Sequence, residues 1–176
     1  TYDLILSSVL SYRLAKGLEV RSSFGYSSLS HKEVNASPST QYDPAYGLTS
    51  DYSSLVVTDA SRRSWIIEPQ LNWQKVLGEG RIDVLAGTTF QSQTGDQLVL
   101  YGSGFSSNSL IYNLASAGFL MTMASDATEY RYQAIFGRAN FSWKERYFLN
   151  LTGRRDGSSR FGPGKQYANF GAVGAA

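Results

Sequence analysis

Few residues in this 176-residue chain have side chains suited to covalent or acid–base chemistry, and their spacing narrows the choice further. The single histidine, His31, lies in a Ser-rich stretch. A Ser/His/Asp hydrolase would need a serine on a Gly-x-Ser-x-Gly strand-to-helix turn, and the sequence contains no such turn. Asp43, Asp51 and Asp59 are scattered and read as solvated turn residues, not as the paired carboxylates of glycoside hydrolysis. With no cysteine there is neither a disulfide framework nor a thiolate metal site. The expectation is therefore a protein that is not an enzyme, with no cofactor and no metal.

Two groups suit recognition. In Arg154-Arg155-Asp156-Gly157-Ser158-Ser159-Arg160, the guanidinium groups of Arg154, Arg155 and Arg160 have the geometry to bind carboxylate or phosphate. The plainer reading is turn chemistry at Asp156-Gly157, with the arginines paired to acids on neighbouring strands. The sharper one is an arginine rim that contacts anionic lipid headgroups or substrate. Tyr101 and Tyr112, with Tyr42, Tyr46 and Tyr52, are placed to stack on sugar rings or to dock a partner.

The elements that position these residues are strands. Twelve Tyr, 9 Phe and 3 Trp beside 17 Gly and 4 Pro favour sheets over helical bundles. No apolar run reaches the roughly 18 residues of a transmembrane helix, so any membrane crossing must be made by strands. A net charge of +2, from interspersed signs, argues against nucleic acid as a partner. Tyr2, Leu4, Leu6, Ser8, Leu10 and Tyr12 alternate with polar residues, as do Leu18, Val20, Phe24 and Tyr26. Trp65, Ile67, Pro69, Leu71 and Trp73 repeat the pattern, followed by Ile82, Val84, Ala86, Thr88 and Phe90. Near the end Tyr147, Leu149 and Leu151 alternate, and 167–176 supplies a last strand of small residues. Between these segments, 28–60 and 94–127 lose periodicity and read as long loops, the second carrying apolar knots at 98–101, 110–114 and 119–123. The apolar parity of 130–136 shifts by one at 139–143, which predicts a β-bulge near Phe136-Gly137.

Seven strands whose connections alternate between short and long have the layout of an outer-membrane β-barrel. The aromatics agree. Eight to ten residues at about 3.3 Å, tilted by roughly 40°, cover about 20 to 25 Å, the height of a barrel's apolar band. Tyr12, Trp73, Trp143 and Tyr147 would then form the membrane-interface girdle on the short-turn side, and Tyr2, Tyr26, Trp65 and Tyr130 the girdle on the other. The expected fold is an all-β, antiparallel, up-and-down transmembrane barrel segment over 1–176. It would be partial, because seven is an uncomfortable number for a closed bacterial barrel.

The last quarter adds a resemblance. Gly137-Arg-Ala-Asn-Phe-Ser-Trp-Lys-Glu-Arg-Tyr147, followed by Arg154-Arg-Asp-Gly-Ser-Ser-Arg-Phe-Gly162, resembles the signature of the SusC/RagA family of TonB-linked outer-membrane transporters. That resemblance implies a bacterial outer-membrane location and a plugged barrel of about 22 strands. It also implies TonB-energised import of oligosaccharides or peptides. The partners would be a SusD-like surface lipoprotein acting as a lid, the TonB complex through a missing N-terminal part, and the lipid bilayer. The competing expectation is a soluble, secreted all-β carbohydrate-binding module.

Overall fold

A computed structural model describes all 176 residues. Seven strands form one sheet in sequence order: β1 (Tyr2–Ala15), β2 (Leu18–Ser37), β3 (Ser54–Leu77), β4 (Gly80–Phe105), β5 (Ala117–Trp143), β6 (Tyr147–Ser158) and β7 (Tyr167–Ala175). The expected strand number and meander are present, and short connections alternate with longer ones.

Strand length differs from expectation. The two segments read as long loops are mostly strand, leaving connections only at 38–53 and 106–116, each carrying short 3-10 turns. β5 runs for 27 residues, whereas a membrane-crossing strand needs about 9 to 11. The physical reason is that a ladder is held by backbone hydrogen bonds. Alternation appears in the side chains only where the two faces meet different surroundings. Ser28 to Ser37 pairs as strand with polar side chains on both faces, so its periodicity is silent.

The expected bulge near Phe136-Gly137 is absent from the β5–β6 pairing. From Tyr132↔Ser158 to Trp143↔Tyr147 the register advances without a slip. The aromatics Tyr132 and Phe136 therefore lie on one face of β5, and Phe141 and Trp143 on the other. The parity change marks a change in what each face is used for, not an extra residue.

Tight turns fix the register. Lys144 and Glu145 both have positive φ (53° and 54°), as a primed hairpin turn requires. The Lys144 N–H donates to the Glu79 carbonyl at 3.0 Å, and Lys144 Nζ lies 3.1 Å from Glu79 Oε2, so two adjacent turns are tied together. Gly17 has φ +78°, and a Cβ there would fall 2.2 Å from the Gln74 carbonyl oxygen, so this turn accepts only glycine.

Contacts divide the chain into two compact units, the first Thr1–Asp3, Ser28–Arg63 and Thr94–Thr128, the second Leu4–Ser27, Ser64–Gln93 and Glu129–Ala176. The first holds the core: Leu55, Phe105 and Ile111 are buried, with Ala36, Val57, Leu114 and Ala117 packed against them. Of the second unit's apolar side chains only Ala134 is buried.

Candidate functional site

Within the second unit the sheet has two chemically distinct faces. On one, Glu68 accepts from Ser23 Oγ (3.3 Å) and Thr89 Oγ1 (3.1 Å), which links β2, β3 and β4. Ser27 and Ser64 hydroxyls meet at 2.8 Å, and Asn150 donates to Asn140. A Cβ at Gly87 would meet the Phe136 ring at 2.7 Å and Gln70 Cγ at 3.1 Å, so these three residues share that face. The alternate residues make the other face: Leu6, Phe24, Tyr26, Trp65 and Ile67 line one groove, and Pro69, Leu71, Ala86 and Ile135 part of another. Leu4, Leu10, Leu71, Leu149, Leu151 and Val173 are all exposed on it. In water such a face would be an aggregation surface, whereas hydrocarbon contact makes it stable.

Of the aromatics expected at a membrane interface, Tyr12, Tyr26, Trp65, Trp73, Trp143 and Tyr147 fall on this apolar face by strand parity, and Tyr2, in the first unit, has the same parity along β1. Tyr130 does not fall there. It shares the polar face with Tyr132, and the Arg160 guanidinium covers its ring at 4.4 Å. It lies an odd number of residues from Trp143 in an unbroken strand, so the two cannot point the same way.

The arginine cluster is likewise split. Arg154 points to the polar face, where it donates to Asp156 Oδ1 (2.6 Å) and the Tyr132 hydroxyl (2.5 Å) and lies 5.5 Å from the Phe136 ring centre. Arg155 points to the apolar face, over the Tyr167 ring at 4.9 Å. Arg154 thus pairs with an acid two residues along its own strand, not with one on a neighbouring strand as the plainer reading expects, and Arg155 has no carboxylate partner.

In the first unit Tyr101 packs edge-on to Phe119 with ring centres 6.4 Å apart, while Tyr112 is 73% exposed. The apolar knots divide. Ile111 and Leu114 enter the core, and Phe119, Leu120, Met121 and Met123 remain exposed. Sequence reasoning missed the polar latch beside that core. Ser53 Oγ donates to Asn108 Oδ1 (2.5 Å), Asn108 Nδ2 donates to Ser39 Oγ (3.1 Å), and the Ser39 N–H donates to Ser53 Oγ (2.8 Å). The two outer connections are joined through it, and nothing in the residue types around Asn108 marks it out.

His31 holds an exposed chain of hydrogen bonds, Nδ1 to Thr1 Oγ1 at 2.6 Å and Nε2 to Glu33 Oε2 at 3.4 Å. Hydrogen bonds from Asn35 first, and then His31, keep the Glu33 carboxyl below its ordinary pKa. The 3.4 Å contact is longer than the reach of a catalytic pair, and all three side chains are solvated.

No family model matches the chain. Among curated proteins it is similar to TonB-dependent receptor P3 of Formosa agariphila, 28% identical over 165 residues, covering 91% of this chain and 16% of the relative. TonB-dependent receptor P39 of the same organism is 23% identical over 98% of this chain and 16% of its own length. The chain thus spans about a sixth of these relatives. Among solved structures, that of the RagAB peptide transporter matches over 97% of this chain and 19% of that chain, at TM-score 0.84 and 19% identity. The ferric citrate transporter FecA matches at TM-score 0.53 and 9% identity, over 98% of this chain and 23% of that one. The sheet accordingly has the fold of an outer-membrane β-barrel segment and is similar over nearly its whole length to TonB-dependent receptors. The soluble, secreted carbohydrate-binding module is set aside, because a soluble sheet would not leave Leu4, Leu10, Leu71, Leu149, Leu151 and Val173 exposed together on one face.

Proposed function

We propose that the chain is wall and outer loops, within a single partial barrel domain over 1–176, of a SusC-like importer that moves peptides or oligosaccharides through a TonB-energised barrel. The observation that carries this reading is the likeness to RagAB at TM-score 0.84 over nearly the whole chain, against 0.53 for the iron transporter FecA. RagAB being a peptide importer favours peptides as the cargo. No bond of the cargo is made or broken in this mechanism. The residues here hold the wall rigid, keep the apolar face in the bilayer and turn hydrogen-bonding side chains toward the passage.

Under this reading Tyr2, Tyr12, Tyr26, Trp65, Trp73, Trp143 and Tyr147 sit at the membrane interfaces. Tyr130 and Tyr132, crossed by Arg160 and Arg154, face the passage and offer aromatic and cationic contacts to cargo. Tyr101, Tyr112 and the exposed Phe119, Leu120, Met121 and Met123 form the outer surface against which a SusD-like lipoprotein closes. The TonB complex acts through parts of the protein outside these residues.

Uptake of labelled oligopeptides and of labelled oligosaccharides by cells making the full-length protein, with and without TonB, tests the reading. It predicts TonB-dependent uptake of one class, and uptake indifferent to the gene would overturn it. For the lid contact, the quadruple variant F119S/L120S/M121S/M123S is expected to lose co-purification of the surface lipoprotein. Undiminished co-purification would remove that surface from the account.

A further inference from the structure

The apolar face of the second unit is free of charge across most of its height. Apart from Lys75 beside the β3–β4 turn, its charged residues are Glu129, Arg131 and Arg155, all toward the end where the long connections lie. Arg131 is engaged by Glu129, with Nη2 2.7 Å from Oε1. Arg155 stands differently. Its direct neighbours across the sheet are Ile135 and Asn169, and its guanidinium rests over the Tyr167 ring at 4.9 Å, while Asp156 points to the opposite face and is taken by Arg154. Tyr167 is itself fixed, its hydroxyl accepting from Gln133 Nε2 at 2.8 Å. A guanidinium held by an aromatic ring, lacking a counter-ion, on a face otherwise built for hydrocarbon calls for an anion supplied from outside.

Two further observations identify the source. The first is height. Arg155 lies eight positions beyond the interface residue Tyr147 in an unbroken strand, about 26 Å along it and about 20 Å across the band at a tilt near 40°. That level is the outer edge of the apolar band, matching Trp65, which lies eight positions from Trp73 on β3. The second is shape. A groove of about 800 Å3 begins at Arg155 and Asn169 and continues past Ile135, Gly137 and Gly153 to Ala86, Thr88, Pro69 and Leu71. Gly137 pairs with Gly153, and Gly153 with Gly171, so the layer next to Arg155 presents bare backbone. A chain of methylenes can lie there in contact while the polar end reaches the guanidinium.

We propose that Arg155, with Tyr167, Gln133 and Asn169, forms a site for the phosphate of an outer-leaflet phosphorylated lipid, one of whose acyl chains lies in the Gly137–Gly153 groove. The site rests on the reading that this face contacts the bilayer. It differs from the cargo surface, because Arg154 and Arg160 cover rings on the opposite face.

The test uses the full-length protein, delipidated in a non-ionic detergent and titrated with a monophosphorylated acylated disaccharide lipid or with the same lipid lacking its phosphate. Occupancy is read by native mass spectrometry, and each variant's barrel is checked by its mobility on unheated gels. The wild type should prefer the phosphorylated lipid about tenfold. Arg155→Ala should abolish the preference, Arg155→Lys should keep part of it, and Arg154→Ala should leave it intact. Equal binding of both lipids by the wild type would overturn the phosphate site while leaving the face in the bilayer. Binding of neither would overturn the lipid site. A preference that survives Arg155→Ala, or falls equally with Arg154→Ala, would also refute the assignment.

Discussion

The two units follow opposite rules for the same antiparallel sheet. The first, made from the far ends of β2 to β5 and the 38–53 and 106–116 connections, buries Leu55, Phe105 and Ile111 and closes a polar latch through Asn108. The second buries little apolar surface of its own and exposes a continuous apolar face. Where water surrounds a sheet, apolar side chains must turn inward and polar groups must find partners. In a bilayer, lipid takes the place of the missing core. Stability in the first unit should therefore respond to cavity formation, and stability in the second to charge on one face and not on the other.

The largest effect is expected at Phe105, whose side chain is completely buried. Phe105→Ala should cost about 3 to 5 kcal/mol of local stability. Rapid protease cleavage at 106–116 would reveal it, with the full-length barrel's heat-modifiable gel mobility retained. If gel mobility were lost instead, the units would not be energetically separable in this way.

Next comes a paired substitution on β3. Leu71→Arg should destabilise the membrane-inserted barrel by about 2 to 4 kcal/mol, the cost of a charge near the bilayer midplane. Asn72→Arg, one residue along on the polar face, should change little. Urea-titrated folding into vesicles of the full-length protein measures both.

Asn108→Ala should weaken the first unit by about 1 to 3 kcal/mol, since it leaves the buried Ser53 hydroxyl without its acceptor. Faster hydrogen exchange in 38–53 and in 106–116 together would identify it as a latch. Exchange rising in only one connection would contradict that role. The smallest effect is a gain: Glu145→Gly relieves a left-handed backbone and should stabilise the turn by about 1 kcal/mol, seen as a later urea midpoint.

The same contrast explains what the sequence makes legible. The strands of the second unit could be read because their two faces meet different surroundings, as in Trp65-Ile67-Pro69-Leu71-Trp73 against Ser64, Glu68, Gln70, Asn72 and Gln74. Serine-rich residues 28–37 and the Thr94–Phe105 end of β4 carry no such signal, because a solvated ladder places no demand for alternation on its side chains. Tyr130 shows a subtler failure. Its place at the interface depends on the expected bulge near Phe136-Gly137, and without that slip parity along β5 turns it to the polar face, under Arg160. The split of Arg154 from Arg155 follows from the same period of two, and was hidden because the cluster reads as one basic patch until the strand is known to continue to Ser158. Asn108 was beyond reach, since its partners Ser39 and Ser53 lie in a different connection.

The central claim is that one face of the second unit touches lipid and the other does not. Nitroxide labels at Leu71→Cys and Asn72→Cys, in an otherwise cysteine-free full-length protein reconstituted into vesicles, test it most directly. Collision with oxygen, which concentrates in the hydrocarbon, should dominate at position 71, and collision with a water-soluble nickel chelate at position 72. Equal accessibility to both reagents at the two positions would contradict the account.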